Sequence, residues 1–175
     1  MHETTRAQIR VVREVVSVLR DADVAAWLFG GWGLDARIGR ITRRHGDVEF
    51  WIDRSDGGRA TSALIAAGAV VLDTQPPEES CEFTWNGVPF STAYFDRQPN
   101  GTFATKGRWS DWVFPAGSFD DVPGELDGTP VSAMSSAGML AMKEQYSTLR
   151  NGGPLRDKDL GDIEILRALC SRVDD

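Results

Sequence analysis

The chain has 175 residues, 41% of them hydrophobic and 26% charged, which is ordinary for one globular domain or one domain with a small appendage. Its formal net charge of −7 disfavours a dedicated nucleic-acid binder, a class that is usually basic, and is compatible with a cationic small-molecule ligand. No apolar run approaches the roughly 20 residues of a membrane helix, and two cysteines make no disulfide framework, so we expect a cytoplasmic protein with neither nucleic-acid nor membrane partners.

The first part of the chain alternates helical and strand patterns. Apolar residues at helical spacing predict a helix over 4–21, and a short apolar run at 25–29 predicts a buried strand. The pair Gly30–Gly31 then predicts a tight turn, which a short helix over 34–41 follows. Residues 47–52, DVEFWI, alternate polar and apolar side chains with the period of two that is typical of a strand.

The remainder predicts hairpins and then helices. Further elements are a helix at 56–67, a strand at 69–74, hairpins centred on Asn86–Gly87 and Asp127–Gly128, an irregular excursion at 97–124, and helices at 135–150 and 157–171. This order predicts an α+β fold in which a small mixed sheet is flanked by helices. We expect an α/β core over 1–133 and a C-terminal helical segment over 134–175, packed together as one compact unit.

Two acids in the strand DVEFWI point to metal chemistry. Asp47 and Glu49 are two positions apart, so in a strand their side chains project to the same side. Two ionised carboxylates at that distance are unfavourable unless a cation lies between them. Mg²⁺ suits such a pair, because it takes one or two carboxylates and completes its shell with water and substrate phosphates. We therefore expect Asp47 and Glu49 to be metal ligands.

The residues upstream of these acids suit a phosphate. Gly30 and Gly31 permit close approach of the backbone, and a following helix N-terminus offers N–H groups and the positive end of a dipole. Arg40, Arg43 and His45 can neutralise phosphate charge. Each signal alone is common on ordinary surfaces and turns, but together they predict phosphoryl or nucleotidyl transfer.

The stretch GGWGLDARIGRITRRHGDVEF resembles the signature of the aminoglycoside and lincosamide nucleotidyltransferases, within the polymerase-β-like nucleotidyltransferase superfamily. The resemblance is close over about residues 25–52 and looser over GRWSDWVFPAGSF, MKEQY and LRDKDLGDIEIL. The signature positions present in the chain are Gly30, Gly31, Trp32, Asp35, Gly39, Arg40, Thr42, Arg43, His45, Asp47 and Glu49.

The resemblance implies a nucleotidyltransferase fold and transfer of a nucleoside monophosphate, with ATP as the expected co-substrate. Asp47 and Glu49 would hold Mg²⁺ on the triphosphate, and the Gly30–Gly31 turn would contact its phosphates. Lys143 would complete the phosphate site, whereas Arg156 and Lys158 are more simply interpreted as solvated helix charges.

The family carries a third carboxylate on a later strand, and here the chain departs from the pattern. In VPFSTAYFD, residues 88–96, the natural alignment places Ser91 at that position. Asp96, at the end of the strand, could serve as the catalytic acid if the register differs, and Glu82 and Asp73 are further candidates. The sequence does not choose among them.

Two functions follow. The first is transfer of a nucleotide to a hydroxyl of a small molecule, such as an aminoglycoside or lincosamide antibiotic, which makes the protein an antibiotic-resistance enzyme. The alternative, suggested by Ser91, is a relative that binds a nucleotide or natural product without transfer. Trp85, Trp109 and Trp112 could wall an acceptor pocket, although aromatic side chains more often pack a loop onto the core. The sequence leaves the oligomeric state open.

Overall fold

The computed structural model describes residues 2–72, 75–149 and 152–171. Its helices are α1 (Glu3–Asp21), α2 (Gly30–Ile38), α3 (Gly57–Ala66), α4 (Ser136–Glu144), α5 (Tyr146–Leu149) and α6 (Asp157–Ser171). Its strands are β1 (Ala26–Leu28), β2 (Val48–Asp53), β3 (Val70–Leu72), β4 (Ser80–Trp85), β5 (Val88–Arg97), β6 (Phe103–Ala104), β7 (Val113–Phe114), β8 (Pro123–Leu126) and β9 (Thr129–Ser132). Across these residues no helix is both long and apolar enough to cross a membrane.

The main sheet is mixed and runs in the order β1-β2-β5-β4-β3. Strands β2 and β5 are parallel neighbours, whereas β1 pairs with β2, and β4 with β5, in antiparallel fashion. The short strands β6 and β7 extend from the end of β5, and β8 and β9 form a separate hairpin. The predicted α+β fold with a mixed sheet is confirmed.

The two faces of the sheet pack against different parts of the chain, because side chains alternate along each strand. Phe50 of β2 and Phe90 of β5 belong to one buried cluster, which also contains apolar residues of α1 and α3. Trp51 and Phe95 belong to the other, with Met139 of α4 and further side chains of α6 and the 97–124 excursion. The acids of the motif therefore lie on the face that α4 and α6 cover.

Several sequence-based predictions are confirmed, and three need correction. The helix predicted over 135–150 is divided into α4 and α5. The hairpins at Asn86–Gly87 and Asp127–Gly128 are present, with the left-handed backbone that such turns require. Gly30 and Gly31 do not form a separate turn but are the first residues of α2. The excursion contains β6 and β7, and its Trp112 is buried in the core. The proposed boundary after residue 133 stays a prediction.

Candidate active site

A polar cavity of about 180 Å³ opens where the start of α2, the start of β2 and the helices α4 to α6 meet. Larger cavities of about 380, 530 and 560 Å³ lie elsewhere, and none of these three contains two acids of one strand. The walls of the polar cavity carry three glycines, three acids, four cations, a histidine and a tyrosine: Gly30, Gly31, Gly46, Asp47, Glu49, Asp159, Arg43, Lys143, Arg156, Lys158, His45 and Tyr146. Such a lining suits a ligand that is itself highly charged.

Asp47 and Glu49 enter this cavity from the beginning of β2. Asp47 is exposed just before the strand, and Glu49 is half-buried within it. Burial, and secondarily the charge of Asp47, raise the pKa of Glu49 to about 7, although Lys143, Lys158 and Arg156 oppose the shift. The pair thus has more negative charge than the protein itself stabilises, which is the condition under which a bound cation is favoured.

The raised pKa of Glu49 predicts how the stability of the metal-free protein changes with pH. Between pH 4.5 and about 7 the folded state keeps the Glu49 proton that the unfolded state releases, so this group lowers stability as the pH rises. Glu49→Gln removes the ionisable group. Without metal, this variant should match the parent near pH 4.5 and exceed its free energy of unfolding at pH 8 by up to about 3 kcal/mol. Urea denaturation at both pH values tests this, and a pH-independent difference would contradict it.

The glycines at the start of α2 make room for the neighbouring side chains. Gly30 has a positive φ of +62°, and a Cβ there would come within 2.5 Å of the Glu49 Oε2 atom. A Cβ at Gly31 would overlap the imidazole of His45. Only glycine avoids both the backbone strain at position 30 and these overlaps. The two glycines therefore let the helix N-terminus approach the acids of β2.

Four signature residues, Asp35, Thr42, Arg43 and His45, form a hydrogen-bonded network beside the cavity, and Arg43 and His45 also belong to the cavity wall. The Asp35 carboxylate accepts hydrogen bonds from the Thr42 hydroxyl (2.5 Å) and backbone N–H (3.2 Å), and its Oδ2 lies 2.6 Å from His45 Nε2. Arg43 Nη1 lies 2.9 Å from His45 Nδ1. Since Arg43 can only donate, Nδ1 accepts and Nε2–H donates to Asp35. This chain of bonds fixes the loop between α2 and β2.

The opposite wall is an ion-pair network from the C-terminal helices. Lys143 Nζ, 4% exposed, lies 2.8 Å from Asp162 Oδ2 and 3.4 Å from Asp159 Oδ1. Arg156 binds both oxygens of Asp159, at 2.6 and 2.9 Å, and Arg43 reaches Asp162 at 2.8 Å. Burial alone would raise the pKa of Asp159, but hydrogen bonds from Arg156 and the nearby charges lower it. Lys143 also lies 5.3 Å from the centre of the Tyr146 ring.

The structure brings together most of the predicted site residues, but not Arg40 or Asp96. Arg40 is exposed and does not line the cavity. Asp96 is bound to Arg54 at 2.9 Å and lies 3.8 Å from Lys106. It is on the opposite side of β5 from the position that pairs with Glu49. The physical reason is that successive side chains of a strand point to opposite faces. Asp96 is five positions from Ser91, an odd number, so the two side chains point to opposite faces.

Ser91 occupies the position expected for the third acid, because β2 and β5 pair in parallel with Glu49 directly beside Ser91. Asp73 lies outside the described residues. Trp85 packs near Phe90 in the other core cluster, so it does not wall this cavity. Trp109 and Trp112 stack at 5.8 Å in the excursion, on the face of the acids.

Sequence reasoning missed Tyr146, Asp159 and Asp162, and it undervalued Arg156 and Lys158. Their spacing offered a signal, since Arg156, Asp159 and Asp162 recur every three residues and so share one side of a helix. Which surface that side faces depends on the packing of α6 against α4, a long-range contact that a local pattern does not specify.

The donor set at the acids fits Mg²⁺ held together with a substrate. Among residues 2–72, 75–149 and 152–171 there is no cluster of three or more His, Cys, Asp or Glu side chains that could hold a metal ion. A cation at Asp47 and Glu49 would thus take two carboxylates from the protein and its remaining ligands from water and phosphate oxygens. This is the arrangement that Mg²⁺ prefers with nucleotides.

Comparisons with known proteins agree with this architecture. A family model described as aminoglycoside-2''-adenylyltransferase matches residues 11–166. A 2''-aminoglycoside nucleotidyltransferase of Escherichia coli is 26% identical over 66 residues, and one of Klebsiella pneumoniae is 33% identical over 66 residues. Each of these two alignments covers 38% of this chain and 37% of the relative, so it spans well under two thirds of the relatives' length.

Two solved structures share the fold. The crystal structure of ANT(2'')-Ia in complex with adenylyl-2''-tobramycin has a TM-score of 0.75 and 17% identity, and the match covers 94% of this chain and 90% of that one. The lincomycin-bound lincosamide adenylyltransferase LnuA has a TM-score of 0.66 and 18% identity, and the match covers 88% of this chain and 92% of that one.

Proposed function

Because the chain belongs to the aminoglycoside-2''-adenylyltransferase family, we propose that it transfers the nucleoside monophosphate of ATP to a hydroxyl group of a small-molecule antibiotic and releases pyrophosphate. The observation that carries this proposal is the polar cavity, in which paired carboxylates, a glycine-initiated helix and several cations converge. Positioning, a metal and charge stabilisation are the main requirements of phosphoryl-group chemistry.

Asp47 and Glu49 would hold Mg²⁺, with the triphosphate supplying further oxygen ligands. The ion, when bound, would screen the charge of the phosphates and make the α-phosphorus more electrophilic. The N-terminus of α2, beginning at Gly30, would present its positive dipole end to the phosphates. The close approach of this helix to Glu49 supports a shared site for the metal and the phosphates.

The cations of the cavity divide into two groups. Lys143 and Arg43 are engaged with buried carboxylates, so they chiefly balance charge at the base of the cavity. Arg156 and Lys158 are exposed at its rim, although Arg156 also pairs with Asp159. We assign the phosphate contacts to Arg156 and Lys158 in preference to Arg40. A nucleotide would then be held between the acids of β2 and the beginning of α6.

The proposed acceptor is an aminoglycoside. The family match supports this class, and the net charge of −7 would favour an approaching polycation. A lincosamide is the second candidate, because the fold is shared with a lincosamide adenylyltransferase. Each acceptor would place a hydroxyl in line with the bond between the α-phosphorus and the oxygen of the leaving pyrophosphate.

Two measurements with the purified protein test the function. Calorimetry should show binding of ATP that requires Mg²⁺. Pyrophosphate release should then depend on an acceptor, with tobramycin and lincomycin as the first probes and mass spectrometry of the adenylylated product as the readout. Absence of metal-dependent ATP binding would overturn the proposal. Binding without acceptor-dependent release across a panel of aminoglycosides and lincosamides would favour the non-catalytic alternative that Ser91 suggests.

A further inference from the structure

One row of side chains crosses three strands of the main sheet at the level of Glu49. Glu49 of β2 pairs with Ser91 of β5, and Ser91 pairs with Glu82 of β4. Directly paired residues project to the same face of a sheet. The neighbouring residues Phe83 and Phe90, which also pair, lie in the cluster on the opposite face. Glu82 therefore shares its face with Glu49, with only a serine between them.

The spacing of this row lets the two glutamates serve one reaction centre. Neighbouring strands are about 4.8 Å apart, so the backbones of Glu49 and Glu82 are separated by roughly 10 Å. A glutamate side chain is long enough to cover part of that distance from each side. Ser91 between them is half-buried and has a short side chain, so it does not itself extend toward either carboxylate as an acid at this position would.

The carboxylate of Glu82 is also held in place. Gln75 Nε2 donates to Glu82 Oε1 at 3.2 Å, and Gln75 Oε1 accepts from Arg108. Arg108 in turn forms a 2.9 Å ion pair with Glu79 and lies 4.7 Å from the centre of the Trp109 ring. These contacts connect Glu82 to the aromatic excursion, which borders the face of the acids.

We propose that Glu82 is the general base of the transfer reaction and replaces the acid that the β5 position lacks. This inference rests on the proposed function. The acceptor hydroxyl oxygen forms a bond to the α-phosphorus, and the bond from that phosphorus to the pyrophosphate oxygen breaks. Pyrophosphate leaves with the electron pair of that bond, and the hydroxyl proton passes to the Glu82 carboxylate.

Asp96 does not fit this role. It lies five positions beyond Ser91, about 17 Å along an extended strand, and on the other face of the sheet. Its carboxylate is bound by Arg54, with Lys106 at 3.8 Å. Ser91 itself has no group that accepts a proton at neutral pH. Of the acids in β4 and β5, Glu82 is the one that shares both the face and the level of Glu49.

The first test compares Glu82→Gln with Asp96→Asn and with Glu125→Gln, which changes an exposed glutamate of β8. With Mg²⁺, ATP and an acceptor that the parent adenylylates, Glu82→Gln should lower kcat about 10²- to 10⁴-fold. It should leave the Kd for Mg²⁺ and ATP within about twofold. The two control variants should keep the parental kcat. Adding Ser91→Asp to Glu82→Gln should raise kcat at least tenfold above that of Glu82→Gln, because it returns a carboxylate to the same row.

The second test needs no turnover. In protein labelled with ¹³C at the glutamate carboxyl groups, the Glu82 signal is identified by its loss in Glu82→Gln. Paramagnetic Mn²⁺ added with ATP should broaden this signal strongly. A sharp Glu82 signal in the presence of bound Mn²⁺ and ATP would overturn the assignment, as would a parental kcat in Glu82→Gln. Failure of the parent to bind Mn²⁺ and ATP would instead overturn the proposed function, and this inference with it.

Discussion

Asp47→Asn should abolish Mg²⁺-dependent binding of ATP and lower kcat/KM by about 10³-fold or more. Asn lacks the negative charge that attracts a divalent cation, and loss of metal stabilisation of several kcal/mol corresponds to a rate effect of this size. The fold should survive, because Asp47 is exposed and repels Glu49. Calorimetry with Mg²⁺ and ATP measures the binding, and acceptor-dependent pyrophosphate release measures the rate.

Asp21→Asn is the matched control for this variant. It makes the same chemical change on α1, where the Asp21 side chain is 72% exposed. Its ATP binding and kcat/KM should equal those of the parent. The stability of Asp47→Asn should equal or exceed that of the parent at pH 8, because burial still raises the pKa of Glu49 but the repulsion by the Asp47 charge, which adds to that shift, has been removed. Retention of Mg²⁺-dependent ATP binding in Asp47→Asn would contradict the assignment of Asp47 as a metal ligand.

The order of the elements and the acid pair follow from local patterns. The close packing of α2 against the side chains around the acids does not. Alternation in DVEFWI predicts that Asp47 and Glu49 share a face, and the structure agrees. The same reasoning assigns Gly30 and Gly31 to a turn that serves phosphates. In the structure each glycine also clears space for a side chain some 14 to 19 residues later in the sequence, His45 or Glu49. Packing between residues so far apart has no signature in the local period.

The third acid illustrates a different limit. An alignment along the chain can only ask which residue of β5 stands at the expected position, and it finds Ser91. The register of β4 against β5 then places Glu82 beside Ser91, although the two are nine positions apart and on opposite strands of a hairpin. Asn86–Gly87 predicts the hairpin itself, and with a two-residue turn the cross-strand pairs follow from it. The sequence therefore contains the information that pairs Glu82 with Ser91, but using it requires counting residues outward from the turn along both strands.

The signature residues also divide by role in a way that composition does not predict. Arg43 and His45 resemble phosphate ligands in the sequence, since both are near glycines and acids. The structure shows that His45 is buried against Asp35 and that Arg43 bridges His45 to Asp162 of α6. The guanidinium of Arg43 and the ring nitrogens of His45 thus connect the α2–β2 loop to α6. Whether such a residue binds phosphate or holds the loop in place depends on its exposure, which tertiary packing determines.

Lys143→Met should lower the free energy of unfolding by about 3 kcal/mol. Lys143 lies between two almost fully buried carboxylates, Asp159 (0% exposed) and Asp162 (5% exposed), and its removal leaves their negative charge less compensated. Breaking a buried ion pair by deleting one partner typically costs about 3–5 kcal/mol. The lower part of this range is expected because Arg156 and Arg43 remain as partners. Urea denaturation at pH 8 measures the loss.

Two companion variants separate this structural role from phosphate binding. Lys158→Met removes the same charge from the exposed rim of the cavity, so its free energy of unfolding should stay within about 0.5 kcal/mol of the parent while its affinity for Mg²⁺ and ATP falls. Combining Lys143→Met with Asp162→Asn should recover part of the lost stability, because one of the two stranded charges is then gone. If Lys143→Met were as stable as the parent, the ion pairs that join α4 to α6 would contribute little. The wall opposite the acids would then depend chiefly on apolar contacts such as those of Met139, Met142 and Leu166.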